Sequence, residues 1–303
     1  MNAHWPNADF SAWSRAIAEQ VENGLHTFLP PEQEHPARLH QAMRYAVLDG
    51  GKRVRPLLAY AAGELFDAGP DATLRAACAV EMIHAYSLVH DDMPCMDDDA
   101  LRRGKPTVHK AYDEATALLV GDALQAQAFA VLSEGELAQQ APARALHSMR
   151  LLAAAAGSRG MCGGQAIDLE SVGKRLNRPE LETMHRLKTG AMLEVSILLG
   201  AWAGRQPQAQ ELAALKDYAQ AIGLAFQVVD DVLDATEDSA QLGKTAGKDA
   251  ADNKPTYVTI LGLDASRALA QELQQSAHDA LLPFGEKAQR LHQLADLIVQ
   301  RKA

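Results

Sequence analysis

Apolar residues recur every three or four positions along most of this chain, in stretches rich in Ala, Leu, Gln and Glu. The alternation of Val, Ile and Thr that marks strands is scarce. The periodicity predicts helices over 9–27, 36–49, 53–67, 71–92, 107–134, 142–160, 178–204, 209–237, 254–263, 265–281 and 284–301. Ser11, Asp71 and Thr107 stand where a helix start calls for a capping oxygen, and the Pro-rich stretch 30–36 breaks the pattern. The helices predicted at 71–92 and 209–237 are apolar on most faces, which places them centrally in a bundle. No low-complexity linker is visible, and the expected fold is a single all-α domain over 1–303.

Two aspartate clusters interrupt this pattern where polar groups are least expected. DDMPCMDDD occupies 91–99 and DDVLD occupies 230–234, each following an apolar segment that reads as buried helix. Carboxylates in such a place are costly unless cations neutralise them. In the second cluster Asp230, Asp231 and Asp234 share one helical face. In the first, Asp91 and Asp92 fall at a predicted helix C-terminus, where the dipole repels anions. Pro94 stops the helix and lets the chain return Asp97 toward Asp91. Hard oxygen donors of this kind suit Mg²⁺, which binds through a few carboxylates plus phosphate oxygens. A lone Asp-Asp pair is most often a solvated surface feature; duplication, apolar flanks and adjacent basic motifs argue otherwise here. A helix–loop–helix calcium site is disfavoured, because the first cluster lacks alternating ligands and a central Gly.

The basic motifs supply the counter-charge. Gly50-Gly51-Lys52-Arg53-Val54-Arg55-Pro56 lies between predicted helices, with glycines for close approach and Lys and Arg for phosphate. It lacks the spacing of a P-loop. Arg102-Arg103-Gly104-Lys105 follows the first cluster, and Gly243-Lys244-Thr245-Ala246-Gly247-Lys248-Asp249 with Asn253-Lys254 follows the second. Lys188-Thr189-Gly190 lies between helical stretches. Their number points to two anionic groups, one held through metal and one by side chains directly. His84 stands seven residues before Asp91 and Gln227 three before Asp230, so both can share a face with a cluster. Gly163-Gly164-Gln165 with Asp168 is expected to pack against the site, whereas His109, His185 and the cysteines read as structural or surface residues.

Composition narrows the setting. The chain has 303 residues, 48% of them hydrophobic, and a net charge of -10, which makes nucleic acid an unsuitable partner. Its 3 cysteines are scattered, which argues against a disulfide framework or zinc site and fits a reducing compartment. The beginning MNAHWPNADFSAWSRAIAEQ has no basic segment leading into an apolar core, and Asp122, Gln125, Gln127 and Glu194 break the longest apolar runs. The expectation is a cytoplasmic protein without a membrane span.

GGKRVRP at 50–56, EMIHAYSLVHDDMPCMDDDALRRGKPT at 81–107, GGQAIDL at 163–169, KTG at 188–190, FQVVDDVLD at 226–234 and GKTAGKDAADNKPTY at 243–257 together resemble the trans-isoprenyl diphosphate synthase family. The likeness is densest from Gly50 to Tyr257. It implies an all-α bundle around a deep central cavity, usually as a homodimer. It implies head-to-tail condensation of an allylic diphosphate with isopentenyl diphosphate. By that resemblance Asp91, Asp97 and Asp230 would ligate Mg²⁺, with Asp92, Asp231 and Asp234 supporting. Three ions with substrate bound are implied, Mn²⁺ being able to substitute. Arg102, Lys188, Thr189, Gln227, Lys244 and Lys254 would bind the allylic diphosphate; Gly51, Lys52, Arg55, His84 and Arg103 would bind isopentenyl diphosphate. Asp91, Asp97, Asp230, Arg102 and Lys188 would carry the chemistry.

Tyr86, with Ser87 beside it, stands five residues before Asp91, roughly 7 Å along a helix at ~1.5 Å per residue. An aromatic ring at that depth is a plausible floor for a growing chain. In the proteins this chain resembles, an aromatic there and a two-residue expansion of the first cluster accompany a C15 product. The expected product is (E,E)-farnesyl diphosphate, with geranyl or geranylgeranyl diphosphate as alternatives. A class I terpene cyclase would carry a different second metal motif and would not need GGKRVRP. A regulatory partner subunit would be expected to lack one cluster.

Overall fold

A computed structural model describes residues 9–174, 176–236 and 256–300. The chain is all-α, and it forms two compact units, residues 1–150 with 199–206 and residues 151–198 with 207–303.

The first unit opens with α1 (Phe10–Phe28), capped by Asp9, then α2 (Ala37–Val47), α3 (Val54–Leu65) and α4 (Pro70–Asp91). As its sequence predicts, α4 is buried all round: Ala76, Cys78, Val80, Met82 and Ile83, on every face, are inaccessible or nearly so. It packs on α1, α2, α3 and on α6 (Glu114–Ser133). The helix predicted over 107–134 is divided, with a four-residue turn, α5 (Val108–Ala111), preceding α6. The cause is Asp113, whose carboxylate accepts the Thr116 N–H at 2.7 Å and starts a new helix. The structure also contains an unanticipated hairpin, β1 (Leu101–Arg102) and β2 (Lys105–Pro106). Arg103 (φ 51) and Gly104 (φ 76) form its two-residue turn, both in the left-handed region that such a hairpin requires.

Among the described residues α6 alone is long and apolar enough to cross a membrane, a property that the core helix of a globular protein shares, so it marks no clear span. Only 39% of its apolar window is buried, and Leu118 and Leu119 are exposed. Beyond it come α7 (Glu136–Gln140) and α8 (Pro142–Ala156).

In the second unit a further helix, α9 (Met161–Ser171), appears between the predicted helices 142–160 and 178–204, where none was expected. The predicted 178–204 helix is continuous but changes pitch: α10 (Arg178–His185), a π-turn (Arg186–Gly190) and α11 (Ala191–Gly204). The long α12 (Ala209–Thr236) matches its predicted range. After the segment outside the described residues come α13 (Tyr257–Leu261) and α14 (Leu263–Ala280), then a 3₁₀ turn (Leu282–Ala288) and α15 (Gln289–Gln300). The predicted 284–301 helix begins as 3₁₀ because Gly285 has φ 58. Tyr218, fully buried on α12, donates to the Leu291 carbonyl at 2.7 Å.

A histidine pair joins α14 to α15. The Nδ1 atoms of His278 and His292 are 2.7 Å apart, and His278 Nε2 lies 2.9 Å from Asp296 Oδ1, which also accepts from Gln274. The short Nδ1 contact holds one proton; with both rings charged, two N–H groups would face each other. Burial, then the His278 charge, lowers the His292 pKa from 6.5, and Asp296 opposes this. A folded-state pKa below the unfolded one means the unfolded chain takes the proton first as pH falls. The contribution is therefore full above about pH 6.5 and lost as pH drops through the folded value. Thermal melts should show wild type losing more stability than His292→Phe between about pH 7.5 and about 5.5; equal losses would contradict this.

Candidate active site

In the first unit, α4 ends at Asp91 and the chain folds back at once. The Asp97 N–H donates to the Asp91 carbonyl at 2.9 Å, Asp98 N to Met93 at 3.1 Å and Asp99 N to Asp92 at 3.2 Å. Pro94 thus does what its φ restriction suggests, and Asp91 and Asp97 return to the same turn. Both are half-buried, whereas Asp92 is 3% exposed.

The hairpin sets the basic residues on this turn. Arg102 Nε contacts both Asp92 oxygens, at 2.8 and 2.9 Å, its Nη2 contacts Oδ1 at 2.5 Å, and Asp99 lies at 3.6 Å. Burial pushes the Asp92 carboxyl up and Arg102 pulls it back. Asp92 is thus engaged by a guanidinium, and Arg102 is fixed rather than mobile. Arg103, turned left-handed, lies over the glycines of 50–51. Gly51 has φ 96, a conformation that favours glycine, and a Cβ there would sit 2.8 Å from Arg103 Nη1, so a side chain would strain the backbone and push the guanidinium aside.

The middle arginine of GGKRVRP, Arg53, is not a ligand candidate. It is 5% exposed and donates to Glu81 at 2.6 Å, Glu22 at 2.7 Å and the Val47 carbonyl at 2.8 Å. This network ties α1, α2 and α4 to the loop that presents Lys52, which is exposed, and Arg55, which is half-buried. No signal in the motif distinguishes the structural arginine from its neighbours. His84 is half-buried on α4; burial first, then the guanidinia of Arg55, Arg103, Arg102 and Arg53, keep its pKa well below 6.5. It is therefore a neutral ring among cations. The predicted phosphate residues Arg55, His84 and Arg103 accordingly occupy one electrostatic neighbourhood.

Tyr86 is 5% exposed and meets the His90 ring edge-on, centroids 5.8 Å apart. His90 rests on Gly121 of α6, where a Cβ would stand 1.9 Å from its Nε2. The Ser87 hydroxyl donates to the His84 carbonyl at 2.9 Å. A cleft of ≈ 740 Å³ in this unit, at Arg44, Tyr45 and Tyr112, contains none of the residues singled out from the sequence.

In the second unit, Lys188 and Thr189 sit on the π-turn, a rare element that often marks functional positions. Lys188 Nζ is 2.6 Å from Asp168 Oδ2, and Thr189 donates to Gln227 Oε1 at 2.6 Å. The Gly163-Gly164 pair belongs to this arrangement: a Cβ on Gly164 would lie 2.1 Å from the Lys188 nitrogen, so α9 reaches the π-turn only with glycine there. Gln227, Asp230 and Asp234 are half-buried along α12, and Asp231 is buried. Asp231 Oδ2 accepts the Tyr257 N–H at 2.7 Å, a partner the sequence did not suggest. Lys244 and Lys254 lie outside the described residues.

Among the described residues no three His, Cys, Asp or Glu side chains form a ready-made metal cage. The donors are nevertheless carboxylate oxygens only, which fits Mg²⁺ bound through one or two carboxylates and substrate phosphates.

Comparison with known proteins agrees with this architecture. Residues 36–290 match the polyprenyl synthetase family, and the chain belongs to it. It is 43% identical over 296 residues to the farnesyl diphosphate synthase of Escherichia coli K12, covering 97% of this chain and 99% of that one. It is 46% identical to the large subunit 1 of the heterodimeric geranylgeranyl pyrophosphate synthase of Arabidopsis thaliana, covering 97% and 80%. The geranyltransferase of Helicobacter pylori, solved with magnesium and isoprenyl diphosphate, superposes with a TM-score of 0.85 at 32% identity, covering 97% of this chain and 99% of that one.

Proposed function

We propose that the protein is a Mg²⁺-dependent prenyltransferase that condenses isopentenyl diphosphate with dimethylallyl and then geranyl diphosphate, giving (E,E)-farnesyl diphosphate. The observation that carries this reading is the hairpin over the first acidic turn, which fixes Arg102 on Asp92 and lays Arg103 over Gly51. Arg103, Lys52, Arg55 and the neutral His84 bind the diphosphate of isopentenyl diphosphate. Arg102, Lys188, Thr189 and Gln227, with Lys244 and Lys254, bind the allylic diphosphate.

Asp91, Asp97 and Asp230 are the carboxylates that would hold Mg²⁺, Asp92, Asp231 and Asp234 orienting them. Bound Mg²⁺ would offset the charge that builds on departing pyrophosphate. The allylic C–O bond breaks with its electron pair leaving on pyrophosphate. The double bond of isopentenyl diphosphate supplies the pair for the new carbon–carbon bond, and proton loss restores a double bond, with pyrophosphate as acceptor. Lysine and arginine donors stabilise the leaving group where charge develops. Tyr86 limits chain growth at C15.

Lys52→Ala and Arg55→Ala should weaken binding of an isopentenyl diphosphate analogue more than of an allylic one, and Lys188→Ala and Lys254→Ala the reverse. Isothermal titration checks this, with Asp168→Asn as control for the carboxylate left by Lys188→Ala. Equal losses on both ligands in all four variants would refute the partition.

A homodimer in the cytoplasm completes the reading. Leu118 and Leu119 on α6 and Leu146 on α8 are 49%, 54% and 67% exposed, apolar side chains that a second copy would cover. The cysteines form no disulfide, and Cys95 and Cys162 are exposed, which suits a reducing compartment. Sedimentation should give twice the 32.6 kDa chain mass.

A further inference from the structure

The carboxylate face of α12 is gripped by a contact that neither a diphosphate nor a metal ion explains. Asp231 is 7% exposed, and its Oδ2 accepts the backbone N–H of Tyr257 at 2.7 Å. Tyr257 is the first residue of α13, whose start is fixed by reciprocal bonds between Thr256 and Thr259. The Tyr257 ring is 1% exposed and stacks on His185, centroids 5.6 Å apart and planes 21° apart. His185 is the last residue of α10, so the π-turn with Lys188 and Thr189 begins at the next position.

The stack is a poor choice if packing were its sole task. Neither ring nitrogen of His185 nor the Tyr257 hydroxyl has a hydrogen-bond partner among the described residues. Each such buried atom costs stability, and an apolar pair of similar volume would avoid that cost. Burial lowers the His185 pKa to about 4, so the ring is neutral and stacks without a charge of its own. The pair is also placed at a junction: one ring belongs to the helix that leads into the π-turn, the other to the residue whose N–H holds Asp231.

We infer that the Tyr257–His185 stack is a positioning device for the second acidic cluster. It holds the Tyr257 N–H on Asp231, and Asp231 thereby serves as an anchor that sets the orientation of Asp230 and Asp234 and ties it to the turn carrying Lys188 and Thr189. The inference rests on the proposed role of this cluster in holding Mg²⁺ and diphosphate. Its physical basis is general: hydrogen bonds behind a metal-binding carboxylate fix its direction, and losing them weakens metal binding by about 10–100-fold.

Four variants separate anchor from ligand: Tyr257→Phe, Tyr257→Leu, Asp231→Asn and Asp231→Ala. Two readouts are needed, hydrogen exchange of the Tyr257 amide in metal-free protein and titration of Mg²⁺ in the presence of inorganic pyrophosphate. Tyr257→Phe keeps the stack and should rescue both readouts. Tyr257→Leu and Asp231→Ala should each speed exchange at this amide and weaken Mg²⁺ binding by roughly tenfold, and the double variant should be no worse than the worse single one. Asparagine still offers an oxygen to the N–H, so Asp231→Asn should keep the amide protected and lose clearly less Mg²⁺ affinity than Asp231→Ala. Should Tyr257→Leu fail to fold, His185→Ala carries the same expectation. The inference is overturned if removing the stack leaves exchange and Mg²⁺ binding unchanged. It is also overturned if Asp231→Asn loses Mg²⁺ as heavily as Asp231→Ala while its amide stays protected, since Asp231 would then be a ligand. If wild type itself does not bind Mg²⁺ with pyrophosphate, the functional reading fails, and the exchange arm still decides whether the stack holds the anchor.

Discussion

Asp91→Ala and Asp230→Ala should each abolish turnover at saturating Mg²⁺ while leaving the fold intact. Neither side chain is in the fully buried core, and both are half-buried on helices whose apolar neighbours do the packing. Loss of one group that stabilises developing charge commonly lowers kcat about 10²–10³-fold, at ~1.4 kcal/mol per tenfold. Two such losses at sites in separate clusters would show that both clusters serve the chemistry. Steady-state rates with isopentenyl and geranyl diphosphate, beside circular dichroism melts, check it. Near-wild-type turnover in either variant would remove that cluster from the mechanism.

Tyr86→Ala should lengthen the product beyond C15. The ring is buried, braced edge-on by His90, which is itself wedged against Gly121 and contacts the Leu118 carbonyl at 3.1 Å. As the proposed floor, a ring supported in this way would not yield to a growing chain without repacking of α4 against α6. Removing the ring opens space of several methylene groups on the helix that ends at Asp91. Truncation of a buried aromatic also costs about 3–5 kcal/mol of stability, so the variant should melt earlier as well as extend its product. Chromatography of dephosphorylated products reads the outcome; a variant that still stops at C15 would place the floor elsewhere.

Much of this was legible in the sequence because the signals are local. The helix ending at Asp91, the break at Pro94 and the return of Asp97 follow from an apolar run, a proline and short-range geometry. The long α12, with its carboxylates on one face, follows from helical period alone. What was not legible depends on contacts between distant segments. No helix is predicted between 160 and 178, yet Gly163 and Gly164 sit inside α9, where Gly164 passes close to the Lys188 backbone. The hairpin at 101–106 has strands of two residues, too short for any alternation, and its turn places a left-handed Arg where Asn or Gly is usual. Arg53 and Arg55 look alike in GGKRVRP; only the ion pairs of Arg53 with buried Glu81 and half-buried Glu22 mark it as the structural residue, leaving Arg55 for the proposed binding role. The grip of Tyr257 on Asp231 spans 26 positions and could not be inferred from either motif.

The most direct test of the account is the fate of labelled isopentenyl diphosphate incubated with the enzyme, Mg²⁺ and dimethylallyl diphosphate. Label should enter a C15 alcohol after dephosphorylation, with one pyrophosphate released for each isopentenyl unit added. Pyrophosphate released from an allylic diphosphate alone, or no label in any longer chain, would contradict it.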